Sequence, residues 1–169
     1  MTLRLRAQPI TAANFAPYGW LASADGLAGR PINNGSSLRV DGVGTLDLTA
    51  AGGAPCLALF RAQARNPQGP WQVLERHCLG TQTFVPLDGV GCVMLVATGD
   101  AAPDLSTLAA FVVAGHQPVT LRAGTWHHGL IALHDGDFVI IERQAADTDC
   151  ELATLSEAVT LVLPGSQVD

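Results

Sequence analysis

The sequence predicts an all-β domain, a sandwich or barrel of many short strands. Three observations carry that reading. Eighteen glycines and ten prolines punctuate short apolar runs. Those runs are too closely spaced for a parallel sheet with crossover helices between its strands. Finally, 48% of the 169 residues are hydrophobic and only 14% charged. That is enough apolar material for one sizeable core, and too little charge for a disordered chain. No linker, repeat or low-complexity tract divides the chain, so residues 1–169 are expected to form a single domain.

In order, the runs that read as strands are 2–6, 18–22, 37–40, 45–48, 56–62, 71–77, 81–86, 91–97, 109–113, 117–121, 128–133, 137–143 and 159–163. Turn signals stand between them, among them Asp88-Gly89, Gly99-Asp100, Ala123-Gly124 and Asp135-Gly136. Helix signals are few. Thr11 can cap a turn or two over Thr11–Phe15, and Asp104–Leu108 follows Pro103 as another short turn. Thr154-Leu-Ser-Glu157 has the spacing of a capping box, but no long apolar period follows it. Val93–Ala97 and Phe138–Ile141 are continuously apolar, which means both faces of those strands are buried. A partner subunit could cover one face, and a dimer is expected on that ground.

Charge excludes several classes. All nine basic residues are arginine, set against fifteen acids, for a net charge of −6. A nucleic-acid binder or a polybasic membrane surface needs the opposite balance. Without lysine there is no Schiff-base chemistry, no covalent pyridoxal phosphate and no P-loop lysine. No apolar run reaches the roughly 18 residues of a membrane span. The N-terminus lacks a signal peptide's apolar stretch, so a cytoplasmic protein is expected. The four cysteines, at 56, 78, 92 and 150, form no CxxC pair and read as free thiols in a reducing compartment, largely buried. Trp71 and Trp126 read as core residues, and His116 and His134, beside turns, carry no assigned role.

Chemistry concentrates in Glu75-Arg-His-Cys-Leu-Gly-Thr-Gln82. Strand alternation puts Glu75 and His77 on one face and Arg76 on the other. If Gly80 allows a hairpin, Gln82 returns opposite His77. A distant segment, Arg122-Ala-Gly-Thr-Trp-His127-His128, supplies a further ligand. Its two histidines are adjacent, so only one can point inward. The spacing Glu75-x-His77, Gln82, Gly89, followed by Arg122-x-Gly124-x-x-His127, resembles the two motifs of the cupins. It departs from them in having Arg for Pro and Glu-x-His with Gln for the commoner His-x-His with Glu. Such an oxygen-rich set can hold a divalent metal with open positions, and ligand softness does not separate nickel, manganese, iron or zinc. Glu75, His77, Gln82 and His127 are the candidate metal ligands. The same four, with His128, are the candidate catalytic residues. Arg61, at the end of Cys56–Arg61, is the first candidate to clamp a carboxylate and Arg39 the second.

A closer resemblance is to the ureidoglycolate lyase family. It rests on Ile32-Asn-Asn-Gly35, Arg61, the block Leu74–Pro86, Pro103–Leu108 with Ala110-Phe111, and Trp126-His-His128, in that order along almost the whole chain. It implies a cupin-like double-stranded β-helix, or jelly roll. It also implies cleavage of (S)-ureidoglycolate to glyoxylate and urea late in allantoin breakdown, a divalent metal, nickel, and a homodimer in the cytoplasm. Asn33 and Asn34 join the substrate-binding candidates through it. One departure is visible: relatives often continue from Asn-Asn-Gly with Arg-Tyr-His-Asp, whereas here Arg39 is followed by Val40-Asp41-Gly42. Two other readings are open. One is another metal-dependent cupin enzyme, an isomerase or dioxygenase of a small acid. The other is a non-catalytic module that senses a small carboxylate such as glyoxylate.

Overall fold

The computed structural model describes residues 2–165; Met1 and residues 166–169 of the expected 1–169 domain lie outside the described residues. Half of the chain is strand and 8% helix. The strands are β1 (Thr2–Arg6), β2 (Gln8–Pro9), β3 (Gly19–Leu21), β4 (Gly29–Ile32), β5 (Ser37–Val40), β6 (Ala54–Ala62), β7 (Trp71–Arg76) and β8 (Gln82–Pro86). They continue as β9 (Gly89–Ala97), β10 (Ala109–Gly115), β11 (Val119–Leu121), β12 (Trp126–His127), β13 (Ile131–Ala132), β14 (Gly136–Gln144) and β15 (Glu151–Val162). The one α-helix among the described residues, α1 (Ala12–Phe15), is capped as Thr11 predicts, and Asn14 completes a reciprocal capping box. Asp104 likewise caps a short 3-10 turn over Leu105–Thr107.

An eight-stranded sheet, β1-β15-β7-β12-β9-β10-β2 with β13 on β9, faces a five-stranded sheet, β3-β11-β8-β14-β6. This is the all-β, cupin-like architecture expected. Between the sheets lies one apolar core. Cys92, Met94, Val96 and Phe111 contribute from the larger sheet, Phe84, Leu121, Phe138 and Ile140 from the smaller, and Phe15 closes one side. Each such large side chain, fully buried, stabilises the fold by about 1.5–3 kcal/mol. The alternate residues of β9, Val93, Leu95 and Ala97, enter a second core with Trp71, Leu74, Trp126, Leu155, Val159 and Leu161. The continuous run of β9 is therefore covered on both faces by its own chain. It gives no reason to invoke a partner subunit.

Some elements differ from expectation. Residues 45–48 form no strand, because the backbone of Asp47 is tied instead to Thr81, through its N–H to the hydroxyl and its carbonyl to the amide. Residues Gly29–Ile32, mostly exposed, do form one, pairing only with β5 in a detached hairpin. Thr154–Glu157 starts no helix; it lies in β15, where the register shifts between Thr154 and Val159. Residues 128–133 supply only the two-residue β13. Most consequentially, β7 and β8 are not a hairpin. They belong to opposite sheets, so Gln82 enters the interior from the smaller sheet and Glu75 from the larger.

Of the four cysteines, all free, only Cys92 is buried. Cys56 is half-buried on the edge strand β6, and Cys78 and Cys150, in the connections beside β7 and β15, are exposed. No helix is long and apolar enough to cross a membrane among the described residues.

Candidate active site

Register decides which side chains enter the roll. His127 lies opposite Glu75 on β7 and opposite Val96 on β9. Residues directly opposite in an antiparallel pair share a face. Val96 belongs to the core between the sheets, so Glu75 and His127 point into that space. From the other sheet, Gln82 lies opposite Glu142, on the face that carries Phe84 and Ile140. One end of the interior is thus apolar. At the other end Glu75, His77, Gln82, His127 and Glu142 replace the apolar side chains.

The histidines are held by backbone carbonyls. His77 Nδ1 is 2.5 Å from the Asp149 carbonyl, and His127 Nδ1 is 3.1 Å from that of Thr125. A carbonyl only accepts, so each Nδ1 carries a hydrogen and each Nε2 presents its lone pair to the interior. Gln82 donates its amide nitrogen to Glu142 Oε2 at 2.8 Å, which leaves its carbonyl oxygen turned to the interior. His77 Nε2, His127 Nε2 and Gln82 Oε1 are all buried without a hydrogen-bond partner. Such orphaned atoms are uncommon in a folded interior and cost free energy. One ligand atom from each of Glu75, His77 and His127 lies within 4.8 Å of the others. His127 Nε2 stands 3.5 Å from Glu75 Oε1, too far for a sound hydrogen bond. Positive charge beside it, as on a protonated His127 first and His77 after it, holds the Glu75 carboxyl below the usual carboxylate range, with burial opposing. Cys150 Sγ donates to its other oxygen at 3.7 Å. Unpartnered acceptors facing a carboxylate are what a divalent cation satisfies, and imidazole nitrogens with carboxylate and amide oxygens suit a first-row metal.

Surrounding contacts fix these positions. The Asp149 carboxylate accepts the amides of Cys78 and Leu79 at 2.8 and 2.7 Å, which places its own carbonyl against His77. Gly124 adopts φ +83°, open to glycine, and its amide donates to the His77 carbonyl at 2.7 Å. Arg76, on the outer face as alternation requires, bonds Glu151 and stacks 4.5 Å over Trp126, bracing the strand that ends in His127.

The chain matches the family described as ureidoglycolate lyase over residues 2–162. The chain belongs to the ureidoglycolate lyase family. A ureidoglycolate lyase of Burkholderia mallei (strain NCTC 10229) is 38% identical, covering 93% of this chain and 92% of the relative. One of Burkholderia cepacia is 36% identical over 87% and 84%. One of Pseudomonas fluorescens (strain Pf0-1) is 31% identical over 96% and 98%.

Against the ureidoglycolate lyase resemblance, the structure brings together three of the sequence-derived candidates, Glu75, His77 and His127, and places a fourth, Gln82, in the same cavity lining as His77. His127, 2% exposed, is the inward member of its pair. His128 turns the other way: its Nδ1 donates to the Val73 carbonyl at 2.7 Å, its ring packs on Trp71, and Arg65 lies 3.4 Å from its Nε2. Arg61 is outside the roll. Ala58 and Ala62 take the inner face of β6, so Arg61 takes the outer one, where it pairs with Asp137 at 3.2 Å. Arg39 lies on the detached hairpin and pairs with Asp41 at 2.7 Å. Asn33 and Asn34 form the left-handed tip of that hairpin (φ 51° and 56°), a turn asparagine tolerates well. Among the described residues none of these five hydrogen-bonds to the four clustered side chains.

Two residues were not singled out from sequence. Glu142 was legible in principle, since alternation along Phe138-Val-Ile-Ile-Glu142 puts a carboxylate on the core face. Arg143 lines, with His77, Gln82 and Glu142, a cavity of about 230 Å³ at the polar end of the roll. Its guanidinium donates to the carbonyls of Ala50 and Ala51 at 2.7 and 3.2 Å. No local sequence pattern signals that placement, which depends on segment 50–53 closing over β14.

Proposed function

We propose that this protein cleaves (S)-ureidoglycolate into glyoxylate and urea. The observation that supports it most is the convergence of Glu75, His77 and His127, with unpartnered acceptor atoms on both histidines and on Gln82, beside a cavity that His77 and Gln82 line, in a chain of this family. The substrate carries a carboxylate, a hydroxyl and a urea nitrogen on one carbon. Cleavage takes the hydroxyl proton, turns that C–O bond into the aldehyde carbonyl, breaks the C–N bond and leaves a proton on the departing nitrogen. No further reactant enters the balance.

Glu75, His77, Gln82 and His127 would hold a divalent ion, nickel as the family resemblance implies, which would supply a Lewis acid that lowers the pKa of the substrate hydroxyl. Glu75, kept ionised, has one oxygen against His127 and the other beside Cys150, where it can receive a proton. His77 and His127 enter as lone-pair donors because carbonyls occupy their Nδ1 hydrogens. We assign the substrate carboxylate to Arg143 in place of Arg61: alternation turns it away from the face of Glu142, as it does Arg61, but Arg143 still lines the cavity with His77 and Gln82 while bonded to the Ala50 and Ala51 carbonyls.

The pathway is late allantoin breakdown, the compartment the cytoplasm and the assembly a homodimer. Free thiols fit a reducing compartment. The dimer is supported by the outer face of the smaller sheet, where Leu57 and Leu59 are 75% and 52% exposed. Across from them on β14, Ile141 and Val139 extend the same apolar face.

Incubation with each enantiomer of ureidoglycolate, with metal supplied, tests the reading. It predicts equal amounts of glyoxylate and urea from the (S) form. A rearranged acid or oxygen uptake would instead indicate another cupin enzyme, and binding without turnover a sensing module.

A further inference from the structure

We infer that Glu142 is a positioning residue that sets which end of the Gln82 amide faces the metal site. The inference rests on the metal reading above. Gln82 presents either an oxygen or an NH2 group to the interior, and the two ends differ by a simple flip. Only the oxygen can ligate a cation; the NH2 end would point two hydrogens at a site already crowded with cation-seeking lone pairs. Glu142 removes the choice. It stands directly opposite Gln82 in the β8–β14 register, on the same inward face, with its Oε2 2.8 Å from the amide nitrogen. A carboxylate accepts, so the atom against it must be nitrogen, and the oxygen is left facing the roll. The Gln82 oxygen is buried with no partner of its own, as an atom kept for a ligand would be. Gln82 itself is 6% exposed, so bulk water does not serve it.

This is the support that metal-ligating carboxylates and imidazoles commonly draw from an outer group, applied here to a neutral amide; its loss typically costs ten- to a hundredfold in metal affinity. Nickel titration of the metal-free protein by calorimetry tests it, with the unfolding temperature followed in parallel. Glu142→Leu should weaken nickel binding about tenfold. Glu142→Gln, which keeps an accepting oxygen but drops the charge, should restore most of that affinity. In a Gln82→Leu background, Glu142→Leu should cost nothing further, because there is no amide left to orient. Equal losses in Glu142→Leu and Glu142→Gln, or an undiminished loss in the Gln82→Leu background, would mean that Glu142 acts by charge alone and would overturn the inference. A wild-type protein that binds no nickel would overturn both this inference and the metal reading. Nickel binding by the wild type with an unaltered Glu142→Leu would overturn this inference alone.

Discussion

His127 sits directly across from Glu75 in the β7–β12 pair, its Nε2 3.5 Å from Glu75 Oε1. A two-residue strand makes this contact, and its register is enough to bury a histidine among apolar neighbours. The gap matches no hydrogen bond, and the Nδ1 hydrogens of both histidines are engaged elsewhere. The relationship makes sense when a cation lies between the facing acceptors, and the predictions below follow from it.

Asp149 holds the His77 loop by two amide contacts and orients the ring through its carbonyl. Asp149→Ala should lower nickel affinity about tenfold. The metal-free protein should lose about 1–2 kcal/mol of stability, from two lost hydrogen bonds. Calorimetric titration and urea unfolding measure the two effects separately.

The two arginines should behave differently. Arg61→Gln should leave kcat/KM within about twofold of wild type, because that side chain faces away from the roll. Arg143→Gln should raise KM and lower kcat/KM about tenfold or more, the worth of a charged hydrogen bond to a carboxylate. Steady-state glyoxylate release from the two variants decides between them. The reverse order would return the clamp to Arg61.

Thiol reactivity should follow burial. Burial pushes the Cys92 thiol up to about 12, so at pH 8 it stays protonated as well as inaccessible. An aromatic disulfide reagent should label Cys78 and Cys150 in the native protein and reach Cys92 only after denaturation. Mass spectrometry of the labelled peptides reads the outcome.

If the outer face of the smaller sheet joins two copies, Leu57→Asp should convert the dimer to monomer in sedimentation experiments. A charge at that position would have to be desolvated in the interface but is harmless in a free surface. An unchanged dimer would place the interface elsewhere.

Much of this was legible from residue order because β-structure writes itself in alternation. Glu75 and His77 on one face, Arg76 on the other, and the Gly124 turn all follow from period two and turn chemistry. The fold class followed from the density of turn signals. What local pattern could not supply was sheet assignment. Gln82 shares a cavity with His77 by the facing of two sheets, not by a hairpin, a fact set by long-range pairing. Arg61 was misplaced although its own strand held the correction, since Ala58 and Ala62 share the inner face and alternation sends Arg61 outward. Asn33 and Asn34 meet the needs of a left-handed turn, which is sufficient reason for their presence at that tip. The choice between His127 and His128 lay in the register of a two-residue strand, too short to leave a period in the sequence.

The most direct measurement is X-ray absorption at the nickel edge of the loaded wild-type protein, at roughly one ion per chain. The account predicts two imidazole nitrogens, with the remaining scatterers oxygen and none sulfur, even though Cys150 lies against Glu75. A sulfur shell, or a spectrum without imidazole, would contradict the convergence of Glu75, His77, Gln82 and His127 on one ion.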